Sequence, residues 1–240
     1  MRILSKSTAV VLAIVAWSCG SAVPWRNEPI GEEVNLAFTL ERNLVEFSTI
    51  TIDGRRGRFI LGSAAPRSII DPTFVPPRSQ HVMQISEKQT IALAPSRTSL
   101  GGVADAIIGA EVWAGRTIAI DYRTGIVTYQ KDQIEPAQMK FYRFQAEPMV
   151  EVVVDGRAMS AIVDTASPDT LVLPLGPSGG ENRGTVNVRI ADVNFGSVDV
   201  RYANVSHARI GNRLLQRFFV SIDYGQRLVG LWNDPRVPAS

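Results

Sequence analysis

Asp164 is the residue best placed to do chemistry in this chain of 240 residues. The apolar run Ala161-Ile162-Val163 leads into it, and Thr165-Ala166-Ser167-Pro168 follows before a second apolar run opens at Leu171. A carboxylate at the end of a buried strand can act on water as a general base. A second pattern points to acyl transfer. Gly176-Pro177-Ser178-Gly179-Gly180 reads as Gly-x-Ser-x-Gly, and Asp192 or Asp199 followed by His207 gives the Ser, Asp, His order. Its context excludes it: a nucleophile elbow needs a strand before the serine and a helix after it, whereas Glu181-Asn182-Arg183-Gly184 runs into an alternating strand. The segment reads as a flexible loop. His81 and His207, the two histidines, lack the partner spacing of a metal site, and both are expected at loop or strand surfaces. No glycine loop for phosphate and no dinucleotide fingerprint occurs, so no metal or cofactor is expected.

The elements that must position Asp164 emerge when the chain is compared with itself at an offset of 164 − 62 = 102 residues. Asp53-Gly54-Arg55 falls on Asp155-Gly156-Arg157, Ile60 on Ile162, Ala64 on Ala166, Pro66 on Pro168 and Pro72 on Pro174. Far downstream the register still holds: Ala106, Ile108 and Gly109 fall on Ala208, Ile210 and Gly211, and Ile120-Asp121-Tyr122 falls on Ile222-Asp223-Tyr224. Each copy reads as mostly strand. Thr49 to Ile52 and Glu151 to Val154 are β-branched runs stopped by Asp-Gly, a hairpin signal, and Arg58 to Leu61 and Met159 to Val163 answer them. Alternation through Thr185 to Ile190 and Val198 to Tyr202 predicts half-buried strands. Short helices are expected over Ala110 to Gly115 and Asn212 to Arg217.

The segment from Ala161 to Val172 resembles the active-site segment of the pepsin-like (retropepsin-like) aspartic peptidases: apolar strand, Asp-Thr/Ser-Gly, small residue, apolar strand. Ala106-Ile107-Ile108-Gly109 and Ala208-Arg209-Ile210-Gly211 resemble the apolar-apolar-Gly segment that closes each lobe of that family. The resemblance covers roughly Thr49 to Tyr129 and Glu151 to Trp232, and it implies a bacterial two-lobe form with a degenerate first motif. It also implies an all-β acid-protease fold of two β-barrel lobes, with Asp164 as catalytic aspartate. Thr165 matches the hydroxyl residue that ties the two active-site loops across a pseudo-twofold axis, and Ser63 matches it in the first copy. Ala166 stands in place of the family glycine, which matters if that backbone needs glycine's freedom. In the first copy Gly62 stands where the other aspartate would be.

That absence is chemically severe. Two adjacent carboxylates share one proton, so the ionised one activates water while the protonated one donates to the substrate carbonyl. One carboxylate cannot do both, and each kind of assistance contributes about 10² to 10⁴ in rate. Asp71, whose counterpart is Leu173, and Asp105 are read as solvated loop or strand-end carboxylates rather than substitutes.

The expected organisation is a signal peptide over 1–22, a first lobe over 33–132, an interlobe linker over 133–148 with a strand over Lys140 to Phe144, and a second lobe over 149–234. Met1 to Lys6 carries Arg2 and Lys6, and an apolar stretch too short to span a bilayer precedes Ser18-Cys19-Gly20-Ser21-Ala22. Cleavage before a lipidated Cys19 and cleavage after Ala22 are both open, and either places the protein in the periplasm or cell envelope. Without residues 1–18, 25 − 2 = 23 basic groups face 23 acidic ones, and no Lys/Arg stripe supports nucleic-acid binding. The functional expectation is an impaired peptidase-like protein that binds peptide or a partner protein in the interlobe cleft. The alternative is an active aspartic endopeptidase in which Asp164-activated water works with a second chain's Asp164 or beside Gly62 and Ser63. Oligomeric state stays open.

Overall fold

A computed structural model describes residues 25–26, 33–87, 89–130, 135–136, 139–176 and 182–233. The signal segment over 1–22, with Cys19, and the serine of the Gly-x-Ser-x-Gly pattern lie outside the described residues.

The fold is all-β and two-lobed, and it repeats itself at the 102-residue offset. Its seam is the antiparallel pair Thr117–Asp121 and Phe218–Asp223, in which Ile118 faces Ile222 and Ile120 faces Val220. Ala119 faces Ser221, and 221 − 119 = 102, so the central residue of the strand meets its own counterpart. An antiparallel pair of equivalent strands in that register places a pseudo-twofold axis through the seam. The sheet grows outward symmetrically: Ile126–Gln130 and Val34–Glu41 extend it on one side, Leu228–Asn233 and Lys140–Arg143 on the other. The strand expected within the linker is thus an edge of this shared sheet.

Hairpin chemistry explains the next level. Asp155 and Gly156 both take positive φ, 46° and 80°, which lets a two-residue turn join Met149–Val154 to Arg157–Val163. Asp53 and Gly54 repeat the turn at 50° and 74° in the first copy. The second lobe then closes as a six-stranded barrel through Ala208–Ile210, Leu171–Pro174, Val193–Ala203 and Asn182–Ile190. Along Asn182–Ile190, Val186, Val188 and Ile190 are buried while Asn187 and Arg189 are exposed, the alternation its sequence shows. The first lobe is less completely hydrogen-bonded. Its strand Thr51–Ile52 spans only two residues and pairs with His81–Ser86, which in turn pairs with Gln89–Leu93, in a separate three-stranded sheet.

One apolar core runs through both lobes and includes Phe59, Leu61, Trp113, Ile118, Val163, Phe218 and Ile222. The two expected helices are short, a 3₁₀ turn at Ala110–Trp113 and an α-turn at Asn212–Leu215. Gly109 and Gly211 precede them because the backbone folds tightly there. A Cβ on Gly211 would overlap the carbonyl oxygen of Asp169, and one on Gly109 would overlap the backbone of Arg67.

Candidate active site

Two strands deliver the candidate site in matched register. Phe59–Leu61 runs parallel to Ala106–Ile108, with Leu61 opposite Ile108; Arg157–Val163 runs parallel to Ala208–Ile210, with Val163 opposite Ile210. Gly62 N–H donates to the Ile108 carbonyl at 2.9 Å, and Asp164 N–H donates to the Ile210 carbonyl at 3.0 Å. Gly62 and Asp164 therefore occupy equivalent backbone positions at the ends of equivalent strands.

The next residues bind the two loops together. Ser63 N–H donates to Thr165 Oγ1 at 3.0 Å, and Thr165 N–H donates to Ser63 Oγ at 3.0 Å. Each hydroxyl crosses over in turn: Ser63 Oγ donates to the Val163 carbonyl at 2.6 Å, and Thr165 Oγ1 donates to the Leu61 carbonyl at 2.6 Å. The two hydroxyls lie 3.2 Å apart with both protons committed to carbonyls. Both residues are fully buried, where each unmade hydrogen bond would cost the whole desolvation of its polar group. The loop tie that the sequence implied is complete.

Further out, the symmetry is kept by different means. Tyr224 Oη donates to the Ser63 carbonyl at 3.1 Å. Its counterpart Tyr122 donates instead to Asn212 Oδ1 at 2.7 Å, and Asn212 Nδ2 donates to the Thr165 carbonyl at 2.7 Å. Asn212 Nδ2 also reaches the Asn43 carbonyl at 2.7 Å, so this fully buried amide links the tip of the first lobe's opening hairpin to the active-site loop of the second. Loss of water around both phenols pushes them well above their ordinary range, and they act here as neutral donors. Sequence reasoning missed Asn212; its signal was an amide in the helix slot that Ala110 fills in the first copy.

The chemistry differs sharply between the copies. Asp164 is 8% exposed, and both of its oxygens are engaged: Oδ1 accepts from Ala166 N–H at 3.1 Å, and Oδ2 pairs with Arg209 Nη1 at 2.9 Å. Arg209 was the second missed residue, although it is a charge in an apolar slot. Its counterpart is Ile107, whose Cγ2 would lie 2.5 Å from a Cβ built on Gly62. The space a carboxylate would need in the first copy is thus occupied by Ile107, while the carboxylate of the second is paired with a cation. Ala166 adopts no positive φ and packs beside Leu44, Ile60 and Ala104, so this backbone has no need of glycine.

Three expectations are corrected. Asp71 is 4% exposed rather than solvated, and it accepts from Thr73 Oγ1 at 2.6 Å, Thr73 N–H at 2.9 Å, Leu100 N–H at 2.6 Å and Ser99 Oγ at 3.1 Å. Those donors, Thr73 foremost, hold its carboxyl well below the usual range. Asp105 is likewise fixed, accepting the Arg58 N–H at 2.8 Å. His81 is buried, and its Nδ1 lies 2.8 Å from Asp53 Oδ2. That hydrogen bond, with a second from Val82 N–H, lowers the Asp53 carboxyl and ties the hairpin turn to the strand beside it. His207 is exposed, as expected. No group of three or more His, Cys, Asp or Glu side chains placed to hold a metal exists among the described residues.

No protein-family profile matches the chain, and no curated protein matches it by sequence. Among solved structures it is similar to the aspartic proteinase from Irpex lacteus, at 8% identity and a TM-score of 0.58 over 85% of this chain and 98% of that one. At that identity the likeness establishes a pepsin-like two-lobe fold.

Proposed function

We propose that this chain is an exported, aspartic-peptidase-like protein of the cell envelope that is catalytically impaired and binds peptide or a partner protein in the cleft between its lobes. The observation that carries the reading is the pairing of Asp164 with Arg209 opposite a first-lobe position, Gly62, whose side-chain space Ile107 fills. Aspartic-peptidase chemistry needs one carboxyl to take a proton from water and a second to give one to the substrate. Here the second carboxyl is missing, and a guanidinium, which does not release its proton in the working range of a protein, cannot stand in for it as an acid. The scaffold around the loops is meanwhile intact, which supports a cleft that binds without cutting.

Incubation of the mature chain with a diverse peptide mixture, from about pH 4 to pH 7 to span carboxyl titration, tests both halves. Mass spectrometry is expected to find peptides retained and released uncut. Cleavage abolished by Asp164→Asn would overturn the loss of catalysis, and absence of retention throughout would overturn the binding role. Export is tested by fractionation: the reading expects an envelope protein without Met1, and fatty-acid labelling that depends on Cys19 would select the lipid-anchored form.

A further inference from the structure

We infer that the protein carries a second binding site, for a doubly charged oxyanion of the phosphate-monoester class, in an arginine-lined pocket at the junction of the two lobes. The pocket has a volume of about 410 Å³, and its walls include Arg42, Arg183, Arg201, Arg213, Asp169 and Asp199. Arg201 is already neutralised, since its Nε and Nη2 both meet Asp169 Oδ2 at 2.9 and 2.8 Å. Arg42, Arg183 and Arg213 make no ion pair with any described carboxylate, and Asp199 is the one further carboxylate among the described lining residues, so these side chains together carry 3 − 1 = 2 positive charges.

The three arginines arrive from separate elements. Arg42 stands at the tip of the hairpin between Val34–Glu41 and Leu44–Phe47, held there at a positive φ of 51°; Arg183 comes from Asn182–Ile190 and Arg213 from Asn212–Leu215. Their mutual repulsion cannot be relieved by deprotonation, because guanidinium stays charged. An anion relieves it, and guanidinium forks match phosphate oxygens in bidentate geometry. A phosphate monoester carries about −1.5 to −2 at neutral pH, the charge the pocket leaves open. The volume exceeds what inorganic phosphate fills and lies within the size range of small-molecule pockets, so part of an organic body fits as well.

The site bridges the lobes, because Arg42 belongs to the first lobe and Arg183 and Arg213 to the second. It also adjoins the candidate active site: Asn43, next to Arg42, accepts the Asn212 hydrogen bond that continues to Thr165. This inference stands independently of the peptide-binding role.

Calorimetric titration of the full mature chain with inorganic phosphate and with phenyl phosphate, at ionic strength fixed by chloride, tests it. The expected result is one site per chain, tighter for phenyl phosphate, and weakened below about pH 6 as the phosphate gains its second proton. Arg42→Gln, Arg183→Gln and Arg213→Gln should each weaken binding about tenfold, the scale of one lost charge-assisted contact. Asp199→Asn should tighten it, an outcome that general damage to the fold would not produce. Absence of heat and of any thermal shift with both ligands would overturn the inference. So would unchanged affinity in Arg183→Gln and Arg213→Gln chains that melt at the wild-type temperature.

Discussion

Leu61-Gly62-Ser63 and Val163-Asp164-Thr165 are equivalent segments with equivalent hydrogen bonds, yet the central residue of one carries a carboxylate and that of the other has no side chain. The difference separates two demands on the same loop. Ser63 and Thr165 satisfy buried donors and acceptors on both sides of the seam, so the fold depends on them whatever the protein does. The side chain of the residue before each hydroxyl takes no part in that tie, and the fold accepts glycine there with a neighbour filling the gap. Ile107 fills it in the first copy, and Arg209 in the second turns toward the carboxylate instead.

The strongest way to break this comparison is to attack what the copies share. Thr165→Val keeps side-chain shape while stripping Ser63 N–H and the Leu61 carbonyl of their partners, and two buried unsatisfied groups at about 1–3 kcal/mol each predict a loss of about 2–6 kcal/mol in urea unfolding. Ser63→Ala should cost a similar amount, and the double variant less than the sum, because the loops are coupled.

A smaller effect is expected where the copies differ. Gly62→Asp must push a Cβ into Ile107 Cγ2, an overpacking that costs about 1–3 kcal/mol; adding Ile107→Ala should recover most of it. If Arg209→Ile is added as well, two carboxyls face each other without a cation, and any peptide hydrolysis that results should appear in acid and fade as pH rises and the shared proton leaves.

Asp71 sharpens the contrast on a pH axis, because its counterpart is the buried apolar Leu173. Its folded-state carboxyl sits below its unfolded value, so its contribution is present above the unfolded pKa of about 3.9 and is lost as pH falls through the folded value. The stability difference between wild type and Asp71→Asn, measured by urea unfolding, should therefore be full at neutral pH and shrink in acid. Least of all, Ala166→Gly should cost about 0.5–1 kcal/mol, the entropy of a glycine at a position that does not need one.

How far the sequence revealed this molecule follows from the kind of signal each feature leaves. The repeat was legible because Asp-Gly turns, the Ile-Gly lobe closures and the Ile-Asp-Tyr strands recur at one offset, and Ala119 and Ser221, which face each other at the seam, are counterparts at that same offset. The loop tie was legible from Ser63 and Thr165 flanking Gly62 and Asp164. Arg209 and Asn212 went unread because their roles depend on what faces them across the fold, although both depart from their counterparts Ile107 and Ala110. Asp71 and His81 were misplaced for a related reason. A polar residue in a loop-like stretch reads as solvated unless its partners are known, and those partners, Thr73 with Ser99 and Leu100 for the one and Asp53 for the other, come largely from distant segments.

The central claim is that one carboxylate paired with arginine does not make an aspartic peptidase, and a peptidase assay on the purified mature chain tests it most directly. Wild type and Asp164→Asn are compared across the acid range, with the oligomeric state measured in the same samples. The account predicts that the two give the same background signal at every pH. Efficient hydrolysis by a monomeric wild type that disappears in Asp164→Asn would contradict it.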